Sequence, residues 1–481
     1  MISADVRAKY SATIGIECHV QLKTTTKLFS AVGNDAREAP PNTLVSHIDF
    51  GLPGALPVLN KEAVRLASKA GFALNSAPQP FSKFDRKHYF YPDLPMGYQI
   101  SQFDEPIVLG GSVNIVVDGQ PKTIGITRAH LEADAGKSVH PAGQDYSLVD
   151  LNRVGTPLLE IVSEPDMHTA AEARAYAHEL YLLMRYAETS EANLYYGNMR
   201  FDVNVSVSTT DELGTRTESK NLNSFKSVEK AVEYEIERQI AQLERGEAIV
   251  QETRGWDDTK LQTYSMRTKE NADDYRYMPD PDLPPIVLSE EYISDVKASM
   301  PNLPEDYRKV LRDIGVDASV VEDVIAAPET AKTVKRVYDI AGPAHAKRVA
   351  FWLLQPASDD DAAELNASDS NNDEQLIKLS QMVEDNKLSS TAAKEVLAEL
   401  QANNGDVQQI AETKNLIQES DEGAIAQIVE QVLAENPKAA EDVKNGEMKA
   451  IGFLTGQVMK LSQGKANPAL AQQLIKQQLG L

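Results

Sequence analysis

The chain of 481 residues has one cysteine, no long apolar run and no recognisable targeting features in residues 1–13. Its single Cys18 excludes an intrachain disulfide and any metal cage built from cysteines. No apolar run approaches the roughly 20 residues that a membrane-spanning helix needs. Residues 1–13 lack the apolar core of a signal peptide and the Arg-rich, acid-poor character of a transit peptide. We therefore expect a soluble protein of the reducing cytoplasm.

Positive charge is also scarce: 48 Lys and Arg residues stand against 72 Asp and Glu, for a formal net charge of −24. This balance argues against a general affinity for nucleic acid, because phosphate binding depends on Lys and Arg. Residues 448–481 are an exception, since they contain no acidic residue and carry Lys449, Lys460, Lys465 and Lys476. The tail is either a local nucleic-acid-binding surface or the solvated end of a helical region.

The apolar pattern divides the chain into an α+β part and an all-α part. A length of 481 residues favours about three domains. Strand and helix patterns alternate at first, which predicts an α+β domain with an antiparallel sheet in residues 1–295. Helical patterns alone follow, and we divide them into a helical domain, 296–405, and a small all-α tail domain, 406–481. The sequence Asn403-Asn404-Gly405 predicts a hinge between them.

Alternation of polar and apolar residues predicts several two-faced strands. Apolar residues that recur every three or four positions predict two long helices. The predicted strands are 14–22, 113–117, 123–127, 156–162 and 201–208, and the predicted helices are 169–188 and 227–246. Asp118-Gly119 predicts the turn of a hairpin. Thr169 and Glu172 have the spacing of a capping box at the start of the first helix.

Five polar residues in or beside these strands could form one site: Glu17, His19, Glu132, Glu160 and Asp202. Clustered carboxylates repel one another unless a cation or a proton relieves them. Oxygen ligands with one imidazole suit Mg²⁺ or Mn²⁺ better than zinc, and two-metal phosphoryl transfer needs this kind of negative charge. Spacing alone does not show that the strands converge. The alternative is a set of unrelated acids on solvated sheet faces.

Residues 82–93 (SKFDRKHYFYPD) interleave cations with aromatic side chains. Arg and Lys bind phosphate, and aromatic rings can cover a base or a sugar. The segment is therefore either an anion-binding edge or a chance cluster on an edge strand.

Several long stretches of the chain occur in the order found in one known family. They are 14–22 (IGIECHVQL), 51–60 (GLPGALPVLN), 83–94 (KFDRKHYFYPDL), 99–106 (QISQFDEP), 146–165 (YSLVDLNRVGTPLLEIVSEP), 220–225 (KNLNSF), 251–257 (QETRGWD), 274–285 (DYRYMPDPDLPP), 452–460 (GFLTGQVMK) and 464–468 (GKANP). In these stretches the chain resembles, from end to end, the GatB family, the B subunits of aspartyl/glutamyl-tRNA amidotransferases.

The resemblance implies an ATP-dependent amide synthesis on tRNA. In the family, glutamate on tRNA(Gln) or aspartate on tRNA(Asn) is phosphorylated on its side-chain carboxyl, and ammonia then displaces the phosphate. The implied fold is a cradle domain with a kinase-type site, a helical domain, and a YqeY-like tail domain that contacts tRNA. Ammonia would come from the family's amidase, its A subunit, with the small C subunit completing a heterotrimer, because Cys18 points to the apolar face and no amidase signature occurs.

The resemblance also assigns roles to individual residues. The family's metal ligands, which would hold Mg²⁺ beside ATP, correspond to Glu17, His19, Glu132, Glu160 and Asp202. The cations that we predict to contact phosphate or substrate are Lys83, Arg86, Arg200 and Lys220.

The chain departs from the family at several positions. Where many relatives carry two cysteine pairs that form a zinc knuckle, this chain has Ser30, Val32, Ser46 and Asp49, so we predict no zinc. Met96 replaces a common Lys and Ala133 a common Glu, so roles of those side chains do not carry over. The alternative functions are a non-catalytic tRNA-binding scaffold and a stand-alone carboxylate–amine ligase.

Overall fold

The computed structural model of the protein describes residues 2–268, 272–354, 370–418, 422–447, 449–462 and 466–481. The chain divides into two compact units, Met1–Pro304 and Glu305–Leu481. The first combines strands with helices, and the second is helical, which confirms the predicted fold class. The predicted domain boundaries at 295/296 and 405/406 stay predictions.

Among the described residues, the strands all lie in the first unit. They are β1 (Ser11–Gln21), β2 (Phe81–Ser82), β3 (Asp85–His88), β4 (Tyr98–Ser101), β5 (Val108–Leu109), β6 (Ser112–Val117), β7 (Gln120–Ala133), β8 (Lys137–Val139), β9 (Leu148–Asp150), β10 (Pro157–Ser163), β11 (Met199–Ser208), β12 (Thr217–Leu222), β13 (Glu252–Asp257), β14 (Gln262–Thr268), β15 (Met278–Pro279) and β16 (Ile286–Val287).

Helices occur in both units. The first unit has α1 (Ala4–Arg7), α2 (Lys61–Ala73), α3 (Ala170–Tyr186), α4 (Phe225–Glu244), α5 (Glu290–Ala298) and a 3₁₀ turn (Ala272–Tyr275). The remaining helices are α6 (Pro304–Asp313), α7 (Ala318–Ala326), α8 (Pro328–Ala341), α9 (Pro343–Leu353), α10 (Ser370–Glu384), α11 (Ser390–Asn403), α12 (Val407–Thr413), α13 (Glu422–Glu435), α14 (Pro437–Lys444), α15 (Lys449–Leu461) and α16 (Pro468–Leu479).

One large sheet forms the centre of the first unit. Its strand order is β14-β13-β12-β11-β1-β10-β7-β5, and β6 pairs with the long strand β7. β1 lies in the middle and runs antiparallel to both β10 and β11. β12 and β13 run parallel, so the sheet predicted as antiparallel is mixed at this point. A parallel pair needs a long crossover, and α4 provides it between these two strands.

β1 shows how the sheet acquires one dry face and one polar face. Ile14, Ile16, Cys18 and Val20 are at most 1% exposed, whereas the residues between them are half-buried. On the dry face, α4 packs on β11 and α2 on β7, and α3 packs against α4. Burial raises the pKa of the Cys18 thiol, so the thiol stays protonated inside this core. The prediction that Cys18 is a core residue is confirmed.

Several helices and strands begin or turn at or near the positions that the sequence predicts. Thr169 Oγ1 accepts a hydrogen bond from the backbone of Glu172, whose carboxylate accepts one from the backbone of Thr169, so the capping box is confirmed. The hairpin of β6 and β7 turns at Asp118-Gly119, whose φ angles of 51° and 75° suit a type I′ turn. α4 begins two residues before the prediction, because Ser224 caps it.

A largely buried polar cluster forms around Ser30, Ser46 and Asp49, three of the positions from which we predict no zinc. Asp49 accepts hydrogen bonds from Ser30 Oγ (3.2 Å) and from the backbone of Ser46 (2.7 Å), and it lies 3.6 Å from Lys27 Nζ. Lys27 also donates to the carbonyl of Leu44 (2.6 Å). Burial lowers the pKa of Lys27, which the charge of Asp49 opposes. An ion pair with its hydrogen bonds thus joins this loop to the rest of the unit.

The second unit is helical throughout its described residues. Helices α13 to α16 enclose a core that includes Ile425, Val429, Val443, Leu454, Val458 and Leu474. Asn404 and Gly405 both have positive φ, and they separate α11 from α12 where the sequence predicts a hinge. None of the helices in the described parts of the chain combines the length and the hydropathy needed to cross a bilayer.

A buried glutamate ties α4 to the far end of the sheet. Glu235 is fully buried and pairs with Arg238 (2.8 Å) and with Arg254 on β13 (3.1 Å). It also accepts hydrogen bonds from the hydroxyls of Thr217 on β12 and Thr263 on β14. Burial alone would raise the pKa of Glu235, but Arg238 and the two hydroxyls lower it below its ordinary value. The carboxylate therefore connects one helix with three strands.

We expect Glu235→Gln to destabilise the first unit by about 3 kcal/mol at neutral pH, because two largely buried guanidinium groups lose their counter-charge. The folded-state pKa is lowered, so this stabilisation is complete above the ordinary value of 4.5 and is lost as the pH falls through the lower folded value. The difference between variant and parent should therefore shrink in acid.

Urea denaturation monitored by Trp256 fluorescence measures this difference in unfolding free energy. The parent and the variant both carry Trp352→Phe, so that Trp256 is the one tryptophan that reports. The matched control is Glu233→Gln on the same helix, whose exposed carboxylate pairs with Lys230 and should matter little. Equal losses of unfolding free energy in the two variants would contradict this role of Glu235. A loss of unfolding free energy that does not depend on pH would contradict it as well.

Candidate active site

Strand register brings the predicted site residues to the polar face of the sheet. His19 on β1 lies opposite Glu160 on β10, and Glu160 lies opposite His130 on β7. On the other side of β1, Glu17 lies opposite Asp202 on β11. Residues that are paired in this way point to the same face, because side chains alternate along each strand. The strands thus converge, which spacing alone does not show.

Three predicted residues form a compact group of ligand atoms. His19 Nε2 lies 3.4 Å from Glu160 Oε2 and 3.6 Å from Glu132 Oε1. One ligand atom from each of the three side chains lies within 4.8 Å of the others. Glu132 is 2% exposed and Glu160 is 9% exposed, so both carboxylates are shielded from water. We call His19, Glu132 and Glu160 the ligand group.

A protonated histidine balances the charge of the ligand group. Burial alone would lower the pKa of His19, but Glu160 and Glu132 raise it to about 9. Burial alone would raise the pKa of Glu160, but His130 and then His19 lower it well below its ordinary value. At neutral pH the Glu160 carboxylate therefore has an imidazolium beside it.

The ligand group suits a divalent cation that prefers oxygen ligands. Two carboxylates and one imidazole are a donor set for Mg²⁺ or Mn²⁺. A bound cation would supply the positive charge that the proton on His19 otherwise supplies, and the neutral imidazole could then act as a ligand. The donor atoms present therefore fit the predicted metal.

Glu17 and Asp202 lie beside the ligand group, and each contacts another side chain. Asn204 Nδ2 donates to Glu17 Oε1 (3.0 Å). Lys220 Nζ donates to Asp202 Oδ2 (2.5 Å) and lies 3.4 Å from Glu218 Oε1. Burial alone would lower the pKa of Lys220, but Asp202 and Glu218 raise it. The ammonium group thus lies between two carboxylates.

The other predicted substrate-binding cations pair with acids of the protein. The pairs are Lys83–Asp104 (2.9 Å), Arg86–Asp280 (2.9 Å), Arg86–Asp282 (2.8 Å) and Arg200–Asp134 (2.9 Å). Among the described residues, the cavity beside the ligand group has Lys220 in its lining but not Lys83, Arg86 or Arg200. Contacts of these four cations with substrate stay predictions, and the geometry favours Lys220.

A cavity of about 290 Å³ opens on the polar face next to the ligand group. Its lining includes residues that the sequence analysis did not select, among them Lys87, Gln102, Phe103, Arg128, His130, Arg216, Glu218 and Tyr277. Alternation could have indicated His130, which stands two residues before Glu132, and Lys87 lies in the cation-rich segment 82–93. Gln102 and Tyr277 carry no such signal, because they reach the cavity from loops.

Comparison with known proteins agrees with this geometry. The sequence model of the GatB/GatE catalytic-domain family matches residues 12–294. The sequence model of the GatB domain family matches residues 340–479. The B subunit of an aspartyl/glutamyl-tRNA(Asn/Gln) amidotransferase from Alkalilimnicola ehrlichii is 47% identical over 477 residues, which cover 98% of this chain and 99% of that protein.

Proteins with the same name from Carboxydothermus hydrogenoformans and Caldanaerobacter subterraneus are 44% and 46% identical to this chain. Each comparison covers 98% of this chain and 99% of the relative. The catalytic-domain match alone spans more than half of the chain and contains every residue of the ligand group and of the cavity lining. The chain belongs to the GatB family, the B subunits of the aspartyl/glutamyl-tRNA amidotransferases.

Proposed function

We propose that this chain is the ATP-using subunit of a multi-subunit, tRNA-dependent amidotransferase. Its substrate is glutamate on tRNA(Gln), aspartate on tRNA(Asn), or both. The observation that carries the proposal is the ligand group beside a cation-bearing cavity in the part of the chain that matches the family's catalytic domain.

The proposed reaction has two steps. In the first, a side-chain carboxylate oxygen of the tRNA-bound amino acid attacks the γ-phosphorus of ATP, and the bond to ADP breaks. In the second, the nitrogen of ammonia attacks the carbonyl carbon of the acyl phosphate, and inorganic phosphate leaves. The nitrogen loses a proton, so the products are the amide, ADP and phosphate.

Positive charge on the cavity wall would hold the phosphates. Burial alone would lower the pKa of Lys87, but Tyr277 and then Glu132 raise it, so the ammonium group persists at neutral pH. Lys220 also lines the cavity and keeps its charge. Mg²⁺ held by the ligand group would offset the charge on the phosphate oxygens. Fixed donors of this kind position the transferred group without reorganisation.

We also infer that the site takes one divalent cation in the ligand group. Glu17 and Asp202, which the resemblance includes among the metal ligands, already contact Asn204 and Lys220. The Lys220 ammonium group supplies the second positive charge. In this arrangement Glu17 and Asp202 position side chains around the cavity.

Ammonia would come from a partner. The buried, protonated thiol of Cys18 is a poor nucleophile, so the chain's one cysteine does not support a glutaminase. The family supplies an amidase, the A subunit, and a small C subunit for this purpose. The tail, with Lys449, Lys460 and Lys476, would contact tRNA, and the assembly would work in the cytoplasm.

We expect Glu160→Gln to reduce amide formation about 100-fold or more while tRNA binding stays unchanged, because a carboxylate is lost from the ligand group. The assay uses the complex with both partners, Glu-tRNA(Gln), ATP and ammonium. Glu62→Gln, which removes a carboxylate paired with Arg65 on α2, is the matched control and should keep full activity. Unchanged activity of Glu160→Gln would favour the non-catalytic scaffold.

Counting bound Mn²⁺ by electron paramagnetic resonance, without nucleotide, tests the cation content. The parent should bind a single Mn²⁺, and His19→Ala should weaken that binding about 10- to 100-fold, because it removes the imidazole ligand. Lys220→Met should admit a second ion, because Asp202 and Glu218 lose the ammonium group between them. Lys83→Met, which disturbs an ion pair outside the cavity, should bind as the parent does. Two Mn²⁺ ions bound to the parent would contradict the single-cation proposal. They would favour the site of five ligands that the resemblance implies.

A further inference from the structure

One ion pair on the polar face of the large sheet joins two strands that are not neighbours. Arg200 on β11 donates from Nη2 to Asp134 Oδ2 (2.9 Å), and Asp134 directly follows β7. The strand order places β1 and β10 between these two strands. Three strand spacings separate β11 from β7, which is about 14 Å along a flat sheet. Side chains stand roughly perpendicular to a flat sheet, so the pair can form only because this sheet curls toward its polar face.

The same curl brings the ligand group together. His19 on β1 and Glu132 on β7 are separated by β10, yet His19 Nε2 lies 3.6 Å from Glu132 Oε1. The ion pair stands beside both of these side chains. Arg200 lies opposite His19 in the register of β11 with β1, and Asp134 comes two residues after Glu132. The pair therefore connects the two sides of the ligand group across the strand that carries Glu160.

The Asp134 carboxylate is held in place by the chain around it. The backbone N–H of Asp134 donates to the carbonyl of Thr156 (2.9 Å), which directly precedes β10. Its Oδ1 accepts a hydrogen bond from the backbone of Ala135 (2.9 Å), and its Oδ2 also lies 3.3 Å from Arg153 Nε. Asp134 is 9% exposed. A carboxylate fixed in this way determines where the guanidinium group of Arg200 lies.

Charge alone would give Arg200 the opposite effect on a bound cation. A guanidinium group beside the ligand group repels a divalent cation, so its removal would strengthen cation binding if Arg200 acted through its charge only. Its removal would weaken cation binding if Arg200 acted by holding the ligands together. The sign of the change therefore separates the two roles.

We propose that Arg200 and Asp134 are positioning residues for the ligand group, because their ion pair holds the curl of the sheet that brings His19 and Glu132 to one divalent cation. This inference rests on the proposed function, in which the ligand group binds that cation. It gives Arg200 a role other than the contact with phosphate or substrate that we predict from the sequence. Among the residues that the structure describes, the cavity lining does not include Arg200.

Mn²⁺ titration of the full chain, followed by electron paramagnetic resonance without nucleotide, tests the positioning role. Arg200→Met should weaken Mn²⁺ binding about 10-fold, the low end of the usual effect of residues that orient metal ligands. Asp134→Asn should weaken it at least as much. The double variant should bind no more weakly than Asp134→Asn alone, because both lose the same contact. Arg200→Lys, a milder change that keeps the charge on a shorter side chain, should lie between the parent and Arg200→Met.

Three further measurements serve as controls. Arg174→Met removes an arginine from the ion pair with Glu229 between α3 and α4, and it should bind Mn²⁺ as the parent does. Far-UV circular dichroism should show that Arg200→Met is folded, since Asp134 keeps its contact with Arg153. ADP binding without metal should be the same in Arg200→Met and in the parent, because the proposal gives Arg200 no contact with phosphate.

The outcomes separate this inference from the proposed function. Mn²⁺ binding by Arg200→Met that equals or exceeds that of the parent would overturn the positioning role and leave the proposed function intact. Parent-like affinity in the double variant would show that only the two charges matter, and would overturn the role as well. Weaker ADP binding by Arg200→Met with unchanged Mn²⁺ affinity would assign Arg200 to phosphate instead. A parent chain that binds no Mn²⁺ would overturn the cation site of the proposed function and this inference together.

Discussion

Negative charge concentrated on one face of a sheet is the constraint on which the site depends. Five adjacent strands, β12, β11, β1, β10 and β7, each place a carboxylate there, from Glu218, Asp202, Glu17, Glu160 and Glu132. Carboxylates this close together repel one another unless positive charge lies among them. His19 supplies it on one side of β1 and Lys220 on the other. A cation held by the ligand group would therefore take over the charge that the proton on His19 supplies.

The dry face of β1 is what holds these charges in register. Ile14, Ile16, Cys18 and Val20 are committed to the core, so the residues between them must face the cavity. A slip of one residue would exchange the two faces and bury Glu17 and His19 in the apolar layer. The cost of that exchange fixes β1 against β10 and β11. The geometry of the ligand group thus follows from hydrophobic burial on the opposite side of the sheet.

Elements with a strong local pattern could be predicted from the sequence, and contacts across strands could not. β1 and β11, the hairpin at Asp118-Gly119 and the capping box of α3 all follow from short spacings. Within the site, alternation indicates Glu17 and His19 because both lie on one strand. The parallel pairing of β12 with β13 was not predictable, since it depends on how α4, which connects the two strands, packs on the sheet. The pairing of Lys220 with Asp202 likewise depends on register between strands.

Arg86, which we predict to contact phosphate or substrate, also organises the cavity. It lies on β3, stacks over the ring of Tyr98 (4.2 Å) and binds Asp280 and Asp282, which follow β15. β15 pairs with β3, and Tyr277 directly precedes β15, so these contacts hold the chain that carries Tyr277.

Asp85, next to Arg86 on β3, accepts a hydrogen bond from the backbone of Phe103 (3.0 Å). Two neighbouring residues of one short strand therefore hold the two chain segments whose rings stack in the cavity lining. The partners of Asp85 and Arg86 lie 18 and 194 residues away in the chain, a separation that local spacing does not reveal. Within the segment 82–93, Asp85 and Arg86 therefore act on the cavity through the positions of Phe103 and Tyr277, whereas Lys87 lines the cavity itself.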